Sequence, residues 1–199
     1  MNQDHFAHKS KSWDMSSRRV KNAQSIARLI RQHVALNPKM RVMDFGAGTG
    51  LLSYFIAPEV ASIVAVDNSP SMLEVFREKS GEFACETEIF SGDIAQLESA
   101  SFDGIISSMT LHHIEEIKPL FEEFYRLLRQ GGFIALADLA SEDGSFHSDP
   151  KGVYHFGFDC QALARVADEV GFEHAQCAKA STIHKPHRDF EVFLLTAIK

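Results

Sequence analysis

The sequence has few cysteines, and they are far apart. Cys85, Cys160 and Cys177 are the three in 199 residues, an odd number with no CxxC spacing. This pattern argues against both a disulfide framework and a thiolate zinc site. We therefore expect the three thiols to be reduced core residues and the protein to work in a reducing, cytoplasmic compartment.

Long apolar runs and an excess of positive charge are also missing. No stretch approaches the roughly 18 uninterrupted apolar residues of a membrane helix, and the N-terminus has no apolar signal-peptide core. Twenty Lys and Arg against 27 Asp and Glu give a formal charge of −7, whereas a phosphate backbone is bound by a surplus of Lys and Arg. We therefore expect no membrane partner, no nucleic-acid partner, and a small or neutral substrate.

Helix and strand periodicities account for most of the remaining sequence. Apolar residues recur every three or four positions from Arg19 to Leu36, which predicts a helix that Pro38 ends. Short apolar runs then alternate with amphipathic segments, a pattern typical of β-α units and a parallel sheet. The predicted strands are 41–45, 62–66, 87–90, 104–108 and 133–139, and the predicted helices are 50–57, 70–80 and 118–129, the last stopped by Gly131-Gly132.

The C-terminal segments predict a different pairing. Asp159 suits the N-cap of a helix that Gly171 ends, and two strands follow at about 173–184 and 190–198. Because the turn between those strands is short, they should form an antiparallel hairpin. The sequence thus predicts an α/β fold, a doubly wound and mostly parallel seven-stranded sheet that a C-terminal antiparallel hairpin completes.

A glycine loop follows the first predicted strand. Its residues run Gly46-Ala47-Gly48-Thr49-Gly50, so the spacing is GxGxG; a dinucleotide fingerprint, GxGxxG, would need glycine at position 51, which is Leu. Asp44 lies two residues before the loop, where a carboxylate would repel a pyrophosphate. The loop therefore suits a ligand with a cationic end, such as an ammonium group.

Two further carboxylates follow neighbouring strands. Asp67 ends the second strand, a position at which doubly wound sheets hold a ribose diol, and Asp93 follows the third strand. The carboxyl ends of parallel strands share one edge, so Asp44, Asp67 and Asp93 should outline one elongated pocket. The alternative is that each acid only caps a turn or starts a helix, because Asx residues are common there.

These motifs resemble the class I S-adenosylmethionine-dependent methyltransferases of the small-molecule type. The resemblance covers about residues 40–140 and extends in element order to the C-terminus. It implies a Rossmann-like methyltransferase fold, S-adenosyl-L-methionine as cofactor and S-adenosyl-L-homocysteine as product. It also implies a single domain over 1–199, made of an N-terminal segment and helix (1–37), a cofactor-binding half (38–140), and a substrate loop with a closing hairpin (141–199).

The resemblance implies roles for individual residues. The glycine loop would cradle the amino acid part of the cofactor, Asp67 would hold the ribose hydroxyls, and Asp93 would meet the adenine amino group. An N-terminal segment would cover the cofactor, with Trp13 or Met15 in that cover. The implied cofactor-binding residues are Asp44, Gly46, Ala47, Gly48, Asp67, Asn68, Met72, Asp93, Ile94 and Ser108.

Histidines are concentrated in the second half of the chain, near the place where an acceptor would bind. His113 follows the fourth strand, and His147 and His155 lie in a loop over 140–158 that is long enough to be a lid or a binding segment. We expect His113, helped by His147 or His155, to act as a general base or to orient the acceptor. The alternative is that these histidines cap turns or bond to the backbone.

A metal site is a further alternative for the same residues. Asp138, His112, His113 and His147 are the residues that would supply ligands. Since no acid follows the fourth strand and the spacing matches no ligand pattern closely, we expect no metal.

The sequence therefore predicts an enzyme that transfers a methyl group from S-adenosylmethionine to a small-molecule acceptor by in-line displacement. The alternative from another class is a non-catalytic module that binds or senses S-adenosylmethionine or S-adenosylhomocysteine. Such a module would keep the three acids and would need no ordered histidines. The sequence does not identify the acceptor, the methylated atom or the oligomeric state.

Overall fold

The computed structural model describes residues 10–199, and all seven of its strands lie in one sheet. The strands are β1 (Arg41–Phe45), β2 (Ser62–Val66), β3 (Glu86–Phe90), β4 (Phe102–Ser108), β5 (Leu128–Leu139), β6 (Glu173–Lys185) and β7 (Arg188–Ile198). Their order across the sheet is β3-β2-β1-β4-β5-β7-β6. The pairs among β1 to β5 are parallel, and β7 runs antiparallel to both β5 and β6. The predicted fold class and the C-terminal hairpin are confirmed.

Five α helices cover the two faces of this sheet. They are α1 (Ser17–His33), α2 (Leu51–Ile56), α3 (Pro70–Glu78), α4 (Ile117–Leu127) and α5 (Cys160–Val170). The apolar side chains of α1, α2 and α3 belong to one hydrophobic cluster and those of α4 and α5 to the other. Successive strand residues point to opposite faces, so Ile105 packs in the α4–α5 cluster and Ile106 in the α1–α3 cluster.

The end of α4 differs from its sequence prediction. The helix stops at Leu127, and β5 begins at Leu128, which pairs with Phe102. Gly131-Gly132 lies inside this strand, so the prediction that these glycines stop the helix is wrong. A Cβ atom at Gly132 would lie 2.9 Å from the carbonyl oxygen of Arg129, and this close backbone approach explains the glycine there.

The expectation of three reduced thiols is also wrong, because Cys160 and Cys177 form a disulfide with a Cα–Cα distance of 6.1 Å. Cys160 begins α5, and Cys177 lies in β6. The two residues are 17 positions apart, and only the packing of the helix back onto the strand brings them together. Cys85 keeps a half-buried free thiol.

The first nine residues of the predicted N-terminal segment lie outside the described residues. Within residues 10–199, none of the helices combines the length and the apolar character that crossing a membrane requires.

Candidate active site

The glycine loop turns sharply from β1 into α2. The backbone N–H groups of Gly46 and Ala47 donate to the carbonyl oxygen of Val66, at 2.8 and 3.0 Å, so the loop folds over the end of β2. Gly46 has a φ of +72°, and a Cβ atom there would lie 2.1 Å from Oγ1 of Thr110. Both the backbone conformation and the close approach require glycine at this position. The result is a backbone cradle with no side chain at its bend.

Asp67 connects the end of β2 to this loop. Its Oδ2 accepts a hydrogen bond from the N–H of Gly48 at 2.7 Å, and its Oδ1 accepts one from the N–H of Ser69 at 2.8 Å. The side chain is half-buried. A carboxylate oxygen can accept more than one hydrogen bond, and a carboxylate at a strand end is the type of group that binds ribose hydroxyls.

Asp44 lies beneath the loop, where its side chain is 1% exposed. Its Oδ2 accepts a hydrogen bond from the Ser53 hydroxyl at 2.6 Å. Burial raises the pKa of Asp44 from its usual 3.8 to about 7; the Ser53 hydrogen bond opposes this shift, and the nearby charge of Asp67 adds to it. A cationic group at the loop would favour the ionised form of Asp44.

The predicted adenine-side residues lie along the same carboxyl edge, since β1, β2 and β3 are neighbours. Asp93 is exposed, and its Oδ1 accepts a hydrogen bond from the N–H of Ala95 at 3.0 Å, so it caps a 3-10 turn. Met72 and Ile94 are buried, whereas Asn68 is exposed. Asp93 therefore does cap a turn, as the alternative interpretation expected, and this role accounts for one of its contacts.

The N-terminal segment reaches the loop through Asp14, a residue that the sequence did not single out. Its two carboxylate oxygens accept hydrogen bonds from the Thr49 hydroxyl in the loop and from Nζ of Lys79 after α3. Trp13 packs against the guanidinium of Arg19 at 3.7 Å, and Met15 is 83% exposed. The contact between this segment and the loop therefore runs through a carboxylate.

The second half of the site is a histidine pair with a carboxylate, at the carboxyl ends of β4 and β5. Nδ1 of His112 lies 2.6 Å from Oδ1 of Asp138, and the backbone N–H of His112 donates to Oδ2 at 3.2 Å. Both residues are fully buried, at 2% and 0% exposure. From the sequence, His112 and Asp138 enter only the metal-site alternative, which is not favoured. Nothing in their spacing of 26 positions indicates that the two residues are in direct contact.

Two further residues connect this pair to the loops on either side of it. Ser108 lies toward the glycine loop, and His113 lies toward the 140–158 loop. Ser108 ends β4 and is half-buried; its carbonyl accepts a hydrogen bond from the hydroxyl of Thr110, the residue that closes on Gly46. Nδ1 of His113 lies 2.6 Å from the carbonyl oxygen of Gly152. The backbone N–H of Tyr154 donates to the His112 carbonyl at 2.9 Å, so the 140–158 loop folds over the two histidines.

His147 completes a cluster of three imidazoles. Its ring centroid lies 4.8 Å from that of His112 and 6.0 Å from that of His113. Desolvation lowers the pKa of His147 to about 4, and the neighbouring His112, His113 and Lys185 add to this lowering. His147 is therefore neutral at physiological pH.

His155 has a different environment from the other predicted catalytic histidines. Its Nε2 lies 2.9 Å from the carbonyl oxygen of Ile114 and 3.2 Å from that of Glu115. Carbonyl oxygens only accept, so this nitrogen donates to them and holds the loop onto the segment before α4. The structure thus brings His113 and His147 together, and it brings His112 into the cluster in place of His155.

A family model described as a methyltransferase domain matches residues 43–136. This match begins within β1 and ends within β5, and it includes the glycine loop, Asp67, Asp93 and the His112–His113 pair. Over these residues the chain is similar to the methyltransferase domain family. The methyltransferase resemblance of the sequence is confirmed.

Two curated relatives and one solved structure are also similar to this chain. An uncharacterized methyltransferase of Schizosaccharomyces pombe is 28% identical over 164 residues, which are 73% of this chain and 56% of that protein. An arsenite methyltransferase of Halobacterium salinarum is 30% identical over 156 residues, 72% of this chain and 40% of that protein. The structure of a Haemonchus contortus phosphoethanolamine N-methyltransferase in complex with S-adenosylmethionine matches 88% of this chain and 52% of that one, with a TM-score of 0.69 and 17% identity.

The matched part of the chain corresponds to 56% of the length of the first relative and 40% of the length of the second. The sequence identity to the solved structure is low enough that it supports the fold alone. The activity of the whole protein has to be argued from the chain's own residues.

Proposed function

We propose that this chain transfers the methyl group of S-adenosylmethionine to a small-molecule acceptor by in-line displacement. The observation that carries the proposal is the hydrogen bond from the Gly48 N–H to Asp67, which joins a glycine cradle to a carboxylate at the end of β2. This arrangement suits a ligand with an amino acid part and a ribose, because the cradle offers backbone groups and the carboxylate accepts hydroxyls.

The proposed cofactor contacts follow the carboxyl edge of the sheet. The ammonium end would lie at the cradle above Asp44, where a positive charge offsets the cost of the buried carboxylate. The ribose would lie at Asp67 with Asn68 beside it, and the adenine between Met72 and Ile94 with its amino group toward Asp93. Ser108 and the loop backbone at Gly46, Ala47 and Gly48 would line the methionine part.

On the acceptor side, the main requirement is alignment of the nucleophile with the methyl group, because the sulfonium is already activated. His113 is half-buried, and its hydrogen bond to the Gly152 carbonyl places the ring proton on Nδ1. The lone pair is then on Nε2, where it can orient an acceptor or take its proton. His147 is a weak base because its pKa is about 4, so we assign it an orienting role. His155 positions the loop.

The cofactor-sensor alternative is not favoured. Three ordered histidines and the buried Asp138 beyond the glycine loop serve no purpose in a module that only binds the cofactor. Arsenite as acceptor is not supported either, because its methylation needs positioned thiols. Cys160 and Cys177 are bonded to each other, and Cys85 lies before β3, at the opposite edge of the sheet.

The proposal is tested by supplying S-adenosylmethionine with a panel of phenol, carboxylate, amine and thiol acceptors and measuring S-adenosylhomocysteine by mass spectrometry. We expect product with at least one acceptor class, and less product from His113→Ala. If the protein binds the cofactor tightly but forms no product with any class, the sensor interpretation replaces the enzyme.

Two further expectations belong to the proposal. Absence of a nucleic-acid partner is supported by the net charge of −7, and a steep, salt-dependent affinity for duplex DNA would contradict it.

A cytoplasmic location is a prediction from the low cysteine content, and the Cys160–Cys177 disulfide argues against a reducing compartment. Non-reducing mass spectrometry of protein taken directly from cells distinguishes the two states of this pair.

A further inference from the structure

Three histidine side chains from two distant segments converge at the acceptor end of the sheet. His112 and His113 follow β4, whereas His147 lies in the 140–158 loop. One ring nitrogen from each lies within 4.8 Å of the other two. This convergence depends on the loop folding back over β4, since His147 lies 34 positions after His113.

Two of the three rings have a proton fixed on Nδ1 by a hydrogen bond. Nδ1 of His112 donates to Asp138 at 2.6 Å, and Nδ1 of His113 donates to the Gly152 carbonyl at 2.6 Å. In both rings the lone pair is then on Nε2. A carboxylate or carbonyl behind an imidazole is the usual support of a metal-binding histidine, because it sets the tautomer and raises the basicity of the ligand nitrogen.

The third ring contributes an unsatisfied atom. Nδ1 of His147 is buried and has no hydrogen-bond partner among the described residues. A buried polar atom without a partner costs free energy, and in a native protein it usually indicates a bound water, ion or ligand. The other two rings of the cluster lie beside it, so an ion bound there would satisfy this atom.

We propose that His112, His113 and His147 bind a divalent transition-metal ion of the zinc class. Ligand nitrogens around a tetrahedral zinc ion lie about 3.3 Å apart, given Zn–N bonds of about 2.0–2.1 Å. The present separations are at most 4.8 Å, so the three side chains would draw closer together to bind the ion. Three protein ligands leave a fourth position for water or another ligand, as in catalytic zinc sites.

The charges around the cluster are compatible with a cation. Asp138 supplies a buried carboxylate directly behind His112. Lys185 is the neighbouring positive charge, and its Nζ is bonded to the Phe146 carbonyl. Neutral imidazoles with one carboxylate support are a donor set that suits zinc, cobalt, nickel and copper better than magnesium or calcium.

The site is continuous with the proposed cofactor cradle. Thr110 lies two residues before His112, and its side chain approaches Gly46. If methyl transfer is correct, the open coordination position would hold an oxygen, nitrogen or sulfur atom of the acceptor near the methyl group. Nε2 of His113 would then be a metal ligand, so His113 would orient the acceptor through the ion and would not take its proton. Only this last step rests on the proposed function, and metal binding does not depend on it. The sequence favoured no metal here, because it shows only scattered histidines and not their convergence.

The experiment is a titration of the EDTA-treated full chain with Co²⁺, followed by visible absorption, and with Zn²⁺, followed by calorimetry. We expect one equivalent to bind, with the intense visible bands of low-symmetry cobalt. His147→Ala should weaken binding at least tenfold. Asp138→Asn should weaken it about 10–100-fold, the usual effect of losing such a support. His187→Ala is the matched control, because His187 is exposed and lies outside the cluster, and its metal affinity should be unchanged.

His147 is the informative ligand to remove, because it lies in a loop and not in the sheet, and circular dichroism checks the fold of each variant. Equal affinity in the wild type, His147→Ala and His113→Ala, or binding that His187→Ala also removes, would overturn the metal site. Calorimetry with S-adenosylhomocysteine on the same samples separates the two proposals. If the wild type binds the cofactor but no metal, only the proposed metal site is rejected. If the wild type does not bind the cofactor, the proposed methyltransferase function is rejected.

Discussion

The glycine loop and the histidine cluster lie at one edge of the sheet, but they are assembled differently. The loop is contained in residues 46–50, and its main partner, Asp67, ends the adjacent strand. The histidine cluster needs the 140–158 loop to return to the sheet, where Ala140 bridges Phe158. The cofactor side is therefore a local structure on a parallel sheet, and the acceptor side depends on a long connection. Variants in one region should leave the other intact.

The largest effect is expected from His113→Ala, measured with the acceptor that the panel identifies. Losing a group that orients the acceptor or takes its proton should lower turnover about 100-fold or more. Affinity for S-adenosylhomocysteine should stay within about twofold, because His113 bonds to the 140–158 loop, whereas the glycine cradle is held by Val66 and Asp67. Steady-state kinetics and calorimetry on one preparation measure both quantities. A fully active variant would remove His113 from the mechanism.

Gly46→Ala should produce the reverse result. The new methyl group would collide with Thr110 at a φ of +72°, and strain of about 1–3 kcal/mol with a displaced loop predicts a loss of cofactor affinity of about 100-fold. Gly81→Ala is the matched control, because a Cβ atom there meets nothing within 4 Å. If Gly46→Ala binds the cofactor like the wild type, the loop is not the cradle.

The glycine loop and the histidine cluster also differ in how much of each could be predicted from the sequence. Asp44, Gly46 and Asp67 could be recognised because strand ends, glycine spacing and acids follow one another along the chain. The His112–Asp138 contact could not be recognised, since it joins two strand ends that only the sheet order makes neighbours. The Cys160–Cys177 pair was missed for the same reason, because a helix must fold back onto β6 to form it.

Gly157→Ala is the counterpart of Gly46→Ala on the acceptor side. Gly157 has a φ of +72°, and a Cβ atom there would lie 2.2 Å from the Ala140 carbonyl oxygen, so the loop could not close as it does. We expect turnover to fall about tenfold while cofactor affinity is unchanged, because strain of this kind costs about 1–3 kcal/mol. Faster hydrogen exchange confined to the 140–158 loop would locate the effect. A change spread over β1 and β2 would contradict the independence of the two regions.

Asp44→Asn should give the smallest change and should show the cost of the buried carboxylate. The pKa of Asp44 is raised to about 7, so between its usual 3.8 and about 7 the folded state holds a proton that the unfolded state releases. Stability is therefore lost as pH rises through that window. At pH 8 the variant should melt about 2–10 °C higher than the wild type, and at pH 4 nearly the same. Its affinity for the cationic cofactor should fall. Equal melting temperatures at pH 8 would show that Asp44 is not a destabilising charge.

The central claim is that cofactor binding lies with Asp67 and acceptor chemistry with the histidines. The direct measurement is calorimetric titration of S-adenosylhomocysteine into the wild type, Asp67→Ala and His147→Ala. We predict one site in the wild type, a loss of about 10–100-fold in Asp67→Ala from one or two charge-assisted hydrogen bonds, and unchanged affinity in His147→Ala. Unchanged affinity in Asp67→Ala, or an equal loss in both variants, would contradict this division.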